Sequence, residues 1–273
     1  MKQIVYILVG FLFFTCTGKN NTSNAETNAP EYIVEKSADI DLSSFKKDNE
    51  GFIILFDGKS VNGWRGYGKG YLPSGWEVAD DCLVLAQNGK EGGDIIFDYT
   101  FRNFELELDW KVNKAGNSGV FYLGREIKAK DPVSDEYKLQ PIYLSAPEYQ
   151  LLDNDNHPDA SLGKNGNRKS GSLYDMIPAD PQTCKPYGEW NKTRIVVSKG
   201  KAMHWLNEIK VVEYSFVGQE WIDLLQSSKF GQTKWPLAFE LMKDCGGKNH
   251  EGYIGLQDHG DDVSFRNIRI KIN

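Results

Sequence analysis

The sequence predicts an all-β chain built as an antiparallel sandwich, on three observations. From Gly51 onward, short apolar segments alternate with Gly, Asn and Asp clusters, the spacing of strands and turns rather than of βαβ units. Residues 104–112 form the cleanest half-buried strand, with Phe104, Leu106, Leu108, Trp110 and Val112 on one face and Glu105, Glu107, Asp109 and Lys111 on the other. A single short helix is expected, over 219–229, where Trp221, Leu224 and Leu225 fall at helical spacing.

The N-terminus reads differently. Lys2 precedes an apolar run over 4–14, short for a permanent span but sized for a signal-peptide core. The run ends at Phe13-Phe14-Thr15-Cys16, which resembles a bacterial lipobox whose cysteine becomes the lipidated first residue. Residues 1–16 are therefore read as a lipoprotein signal peptide ending at Cys16. Residues 17–50 are read as a flexible tether, polar in its first half and transitional in its second. The sandwich domain is expected over 51–273, exported and lipid-anchored to a bacterial membrane.

Within that domain, residues 52–56 are a buried-strand candidate closed by the turn Asp57-Gly58-Lys59-Ser60. Further strands are expected over 76–78, 82–86, 118–123, 172–176, 192–198, 202–206, 209–214, 237–242 and 254–257. The last strand, 263–272, changes phase: Val263 and Phe265 are odd, whereas Ile268, Ile270 and Ile272 are even. A bulge near Arg266 and Asn267 reconciles them. Two long irregular stretches, 125–147 and 154–170, are expected to wall a groove on a concave face.

Composition narrows the ligand. A net charge of -6 offers no basic field for nucleic acid. Aromatics at 12% suit a β domain that stacks rings on a flat polar ligand. With Cys16 set aside, Cys82, Cys184 and Cys245 cannot all pair and match no zinc spacing. Cys184 with Cys245 as one disulfide, or buried free thiols, both remain open.

Two half-polar segments draw the most attention. In 147–153 Glu148 and Gln150 project together, opposite Tyr149 and Leu151. In 253–259 Tyr253, Gly255, Gln257 and His259 share a face, opposite Ile254 and Leu256. Taken as neighbours, the two segments would floor a groove for something polar. A carboxylate on a sheet floor needs a partner, a ligand or a shifted pKa, so Glu148 is either salt-bridged or functional. Asp153 has the wrong parity for the floor and is placed at the rim, and Asn117-Ser118-Gly119 is read either as a tight turn into a strand or as an amide and a hydroxyl at the groove mouth for sugar hydroxyls. Among the histidines, His204 suits a core position and His259 suits acid/base or substrate contact. No preassembled zinc spacing, Gly-x-Ser-x-Gly elbow, P-loop or dinucleotide fingerprint occurs.

An ordered set of motifs resembles the 3-keto-disaccharide hydrolase family. It runs from Leu55-Phe56-Asp57-Gly58-Lys59-Ser60 and Gly63-Trp64 through Asn117-Ser118-Gly119-Val120, Glu148-Tyr149-Gln150-Leu151-Leu152-Asp153 and Gly171-Ser172-Leu173-Tyr174-Asp175. It continues through Gly188-Glu189-Trp190-Asn191 and His204-Trp205-Leu206-Asn207 to Gly252-Tyr253-Ile254-Gly255-Leu256-Gln257-Asp258-His259-Gly260. The resemblance implies a concanavalin A-like jelly-roll sandwich. It also implies glycosides already oxidised at sugar C3 by a partner dehydrogenase. A C3 ketone acidifies the C2 hydrogen, so a base removes it, the enolate expels the C1 substituent, and water adds to the unsaturated sugar.

Carried over by position, the resemblance implies Glu148 or His259 as base and acid. Asn117, Gln150 and Tyr174 would hold hydroxyls or the enolate, Arg125 or Lys169 would supply positive charge, and Asp153, His204 and Gln257 complete the substrate contacts. No cofactor is required, although a divalent metal held by carboxylate and histidine would serve as electrophile. Two rival readings stand beside this one. The first is a carbohydrate-binding module stacking sugars on Trp64, Trp190 or Trp205. The second is an endo-glucanase built on Glu105, Glu107 and Asp109.

Overall fold

The computed structural model describes residues 29–35, 40–86 and 89–273. The signal-peptide and lipobox reading of 1–16, with Cys16, lies outside the described residues. In chain order the strands are β1 (Tyr32–Glu35), β2 (Ile53–Phe56), β3 (Trp64–Gly66), β4 (Trp76–Ala79), β5 (Cys82–Leu85), β6 (Ile95–Phe101), β7 (Phe104–Val112) and β8 (Asn117–Gly124). They continue with β9 (Glu126–Lys130), β10 (Tyr137–Leu139), β11 (Glu148–Leu152), β12 (Asn191–Ser198), β13 (Lys201–Leu206), β14 (Ile209–Ser215), β15 (Gly252–Leu256) and β16 (Val263–Ile272). The helices are α1 (Gln219–Ser227) and α2 (Pro236–Lys243).

Two antiparallel sheets face each other. One is five-stranded, ordered β11-β8-β15-β6-β3; the other is eight-stranded, ordered β14-β13-β12-β7-β16-β5-β4 with β2 paired to β16. This is the expected sandwich. The alternation along β7 holds, since its apolar residues are buried between the sheets and its acids lie on the outer face. The phase change in β16 also falls where expected, as a register shift between Arg266 and Arg269 with Asn267 at φ 54°.

Three expectations need correction, and one open alternative is resolved. Residues 237–242 form helix α2 rather than a strand: Pro236 opens it, and Ala238, Leu241 and Met242 are buried at helical spacing. There are thus two short helices among the described residues, not one. Residues 172–176 form a turn tied to β11 only by the bridge Leu173–Tyr149. The tether does not extend to residue 50, because β1 pairs with β9 and Ile40 N–H donates to Asp98 O. Cys184 and Cys245 do not form a disulfide; Cys82, Cys184 and Cys245 are all free thiols.

A polar wire ties the sheets together through the core. His204 on β13 is fully buried, and its Nδ1 lies 2.9 Å from Gly171 O. A carbonyl only accepts, so Nδ1 carries the proton and Nε2 accepts from Tyr122 Oη on β8 at 2.7 Å. Tyr214 Oη then donates to Tyr122 Oη at 2.6 Å. Burial pushes the His204 pKa down to about 4, so it stays neutral. His204 is therefore a structural residue and not a substrate contact.

Tyr122→Phe removes the central hydroxyl and strands two buried polar groups, so it is expected to lower unfolding free energy by about 1–3 kcal/mol. Urea denaturation checks this, and an unchanged midpoint would show the wire to be dispensable.

Candidate functional site

The concave face belongs to the five-stranded sheet, and its register decides which side chains meet. Gln150 pairs with Gly119, and Gly119 O accepts from Gln257 N at 2.9 Å. Two residues along, on the same face, Glu148 pairs with Phe121, Phe121 with Gly255, and Gly255 with Ile96. The two segments taken as neighbours are thus separated by β8, and a glycine in β8 is what lets them meet. A Cβ on Gly119 would lie 2.5 Å from Glu148 Oε1, so the carboxyl rests on the bare backbone of the intervening strand.

Glu148 is buried, with 7% of its surface exposed. Turned with its nitrogen toward the acid, the Gln150 amide donates to Glu148 Oε1 at 3.0 Å and to Ser118 O at 3.2 Å, and its oxygen, 3.2 Å from the Asn117 Oδ1 position, accepts once the Asn117 amide turns with it to present its nitrogen. Gln257 also hydrogen-bonds Glu148 through its side chain. Its own Oε1 is buried without a partner and is left to meet a ligand. Burial pushes the Glu148 carboxyl up to about 8; Lys229 opposes that shift, while Asp94 and Asp159 add to it. At neutral pH the carboxyl is mostly protonated and can donate.

Two groups in this site escaped sequence reasoning. Asp94 immediately precedes β6, and its Oδ1 accepts from Asp258 N at 2.9 Å beside Gln257. Burial holds its pKa at about 6, with the Asp258 charge adding to the rise against the backbone hydrogen bond. Lys229 follows α1, and its ammonium lies 4.3 Å from the centre of the Tyr174 ring, 5.0 Å from that of Phe230 and 6.0 Å from that of Tyr143. Burial lowers its pKa, although Glu148 and Asp175 favour the charged form. A lysine beyond a helix end carries no local signal that it turns toward a strand far away in sequence. Asp94, between Gly93 and Ile95, reads locally as a turn residue.

The expected walls are only partly there: within 125–147, β9 and β10 join β1 in a separate three-stranded sheet, and it is the segment after them that reaches the floor. Ile142 packs over Gly255, whose added Cβ would lie 3.1 Å from Ile142 Cδ1, and Tyr143 joins the same apolar cluster as Phe121. Tyr174 borders Glu148, its N–H donating to Glu148 O at 3.0 Å and its hydroxyl to Asp159 Oδ2 at 2.8 Å. Asp159 and Asp175 both hold Arg168.

The remaining expected residues scatter. Asn117 stands on the floor, its N–H donating to Asp261 Oδ2 at 3.1 Å. Asp153 caps the turn at the rim, accepting from the N–H groups of Ala115, Asp155 and Asn156. Arg125 lies outside the floor: its Nη2 donates to Leu241 O at 2.8 Å, and it lines a separate cavity of about 420 Å³ with Tyr32, Gly247 and Lys248. Lys169 lies along Gly166 in its loop, so the cation acting on Glu148 is Lys229 instead. His259 lies beyond the end of β15 and is half exposed, with Asp261 and His157 beside it rather than on the floor. These three offer ligand atoms within 4.8 Å of one another, the one such cluster among the described residues able to hold a metal ion.

The rest of the surface offers weaker alternatives. On the far half of the concave face Arg65 is committed to Asp98 at 2.9 Å and bidentately to Glu126 at 2.7 and 2.9 Å. A cavity of about 500 Å³ on the outer face of the other sheet is lined by Glu107, Asp109 and Arg269. Its acids are neutralised: Glu107 pairs with Arg269 at 2.7 Å and Asp109 with Arg266 at 3.2 Å, while Glu105 pairs with Arg194. Those acids are the solvated face of a strand, not a glucanase site. The tryptophans are also occupied, with Trp64 buried, Arg266 4.0 Å over Trp190, and Arg194 4.6 Å over Trp205.

Comparison with known proteins gives the chain a family. Residues 51–271 match the family model described as a 3-keto-alpha-glucoside-1,2-lyase-like domain. A protein of Bacteroides thetaiotaomicron named 3-keto-disaccharide hydrolase is 52% identical over all of this chain and 99% of its own length. Two crystal structures of candidate glycosyl hydrolases from Parabacteroides distasonis are also similar. One has 29% identity and a TM-score of 0.66 over 82% of this chain and 95% of that one. The other has 27% identity and a TM-score of 0.55 over 81% of this chain and 99% of that one.

The buried acid has a stability consequence whose sign is fixed. A carboxyl that stays protonated in the native state while the unfolded chain ionises loses stability as pH rises from 4.5 to about 8. Glu148→Gln is expected to be more stable than wild type at pH 7 by up to about 3 kcal/mol, and equal to it near pH 4. Thermal melts across that pH range check it; a gain that persists unchanged at pH 4 would assign it to another cause.

Proposed function

The chain belongs to the 3-keto-alpha-glucoside-1,2-lyase-like family and acts on glycosidic bonds; we propose that its substrates are 3-keto-glycosides, cleaved by elimination and hydration. The observation that carries this reading is a single buried carboxyl, Glu148, held protonated on a polar floor beside a cation and a second acid. Ordinary glycosidases set two carboxyl groups across the scissile bond, one of them ionised as nucleophile or water-activating base. Elimination beside a ketone needs different parts: a base for the C2 hydrogen, positive charge or donors for the enolate oxygen, and an acid for the departing C1 oxygen.

The groove supplies each part. Asp94, with a pKa near 6, is ionised at neutral pH, takes the C2 proton and returns it to C2 when water adds across the double bond. Glu148 gives its proton to the leaving oxygen and is recharged by the water that adds at C1. Lys229 and the amide of Asn117 face the charge that develops on the former ketone. The free Gln257 Oε1 accepts from a sugar hydroxyl, and Tyr143 and Tyr174 shield the site from water. Pairing an acid raised to about 8 with one near 6 is how two carboxyls take opposite roles at one pH. A dehydrogenase that oxidises C3 must act first. The N-terminal segment ending at Cys16 is proposed to export the protein and anchor it by lipid, so labelled palmitate should enter wild type and not Cys16→Ser.

Incubation with a simple glycoside and its 3-keto derivative tests the chemistry. Turnover of the keto form alone is expected; cleavage of both would indicate an ordinary glycosidase, and of neither a lectin. On the keto substrate Glu148→Gln should lose roughly 10²–10⁴-fold in kcat. The rate should fall below about pH 6, as Asp94 takes a proton, and above about pH 8, as Glu148 loses one.

A further inference from the structure

We propose that His157, His259 and Asp261 form a binding site for one divalent transition-metal ion at the mouth of the groove. The three come from two loops, His157 from the one after β11 and His259 with Asp261 from the one between β15 and β16. His157 caps the short 3-10 turn Pro158–Ser161, with Nδ1 accepting from Asp159 N at 3.1 Å. His259 and Asp261 follow β15, with His259 Nδ1 at 4.0 Å from Asp261 Oδ2. The imidazole rings lie edge to face with centroids 6.2 Å apart.

Two histidines and a carboxylate are the donor set of catalytic metal sites that keep positions open for a ligand. Metal–ligand bonds of about 2.1 Å place ligand atoms about 3–4 Å apart, so the trio must close by about 1 Å. His259 is half exposed and free to turn. At His157 the cation has to displace the Asp159 N–H from Nδ1 or the ring has to turn, a cost that favours a metal with strong affinity for imidazole over Ca²⁺ or Mg²⁺.

The site is joined to the floor. Asp261 Oδ2 accepts from the backbone N–H of Asn117, whose side chain faces Gln150, and His259 is two residues beyond Gln257. A bound cation would present its open positions toward the groove, where a ketone and its neighbouring hydroxyl could chelate it. That last clause rests on the 3-keto-glycoside reading; metal binding itself does not.

The test strips the full-length protein with chelator and titrates it with Co²⁺, read by visible absorption, and with Zn²⁺, read by calorimetry. Wild type should take up about one ion, and His259→Ala, His157→Ala and Asp261→Asn should each weaken binding at least ~10-fold. His259→Ala changes an exposed side chain, so its folding is safeguarded, and a melt confirms it. No saturable binding, or binding unchanged in all three variants, overturns the site. If the metal binds as described, turnover of a 3-keto glycoside by stripped enzyme should fall at least ~10-fold and recover on adding Co²⁺ or Zn²⁺. Undiminished turnover overturns the chelating role, whereas no turnover with any metal, binding being intact, overturns the substrate reading instead.

Discussion

The carboxyl of Glu148 lying on the bare backbone of Gly119 is the contact on which the rest of the site depends. Any larger residue at 119 would push the acid off the floor and part it from Gln150 and Gln257. Because β8 contributes no side chain at that point, Gln150 on β11 and Gln257 just past β15 both reach the one Glu148 carboxyl. The close approach also excludes water, and loss of hydration is the largest influence raising the Glu148 pKa.

Behind that contact the sheet is held still. Over residues 117–122 of β8 the odd positions face the groove and the even positions face the core, so Tyr122 on the inner face is locked by His204 and Tyr214 while Gly119 and Phe121 shape the outer one. The concave face divides into two electrostatic halves. On one, Arg65 is saturated by Asp98 and Glu126, which fixes β3 and the neighbouring loop. On the other, Glu148 and Asp94 have burial without a matched salt bridge, and Lys229 is held among aromatic rings. Charge left uncompensated in this way is costly to stability, and it is the usual state of groups that have work to do on a ligand.

Much of the scaffold was legible because its information is local. Alternation marks β7, a change of parity marks the bulge in β16, and parity alone puts Glu148 with Gln150 and sends Asp153 to the rim. Helix α2 was legible as well and was misread: its apolar residues satisfy both a buried strand and a helix, and Pro236 at its start decides for the helix. Short strands such as β3 and β10 bear no pattern long enough to detect. The roles of Arg125 and His204 went astray because a charged or titratable residue near a motif says nothing about which side of the sheet its side chain leaves.

By itself the sequence determined the sandwich class, the family through its ordered motifs, and the pairing of Glu148 with Gln150, since all three rest on order and period along the chain. Only the tertiary structure decided that β8 separates the two polar strands, that Gly119 is the space into which Glu148 leans, and that Asp94 and Lys229 complete the site. Those facts depend on which strands are hydrogen-bonded neighbours and how far loops reach across them. Such pairings join residues distant along the chain, and no local period records them.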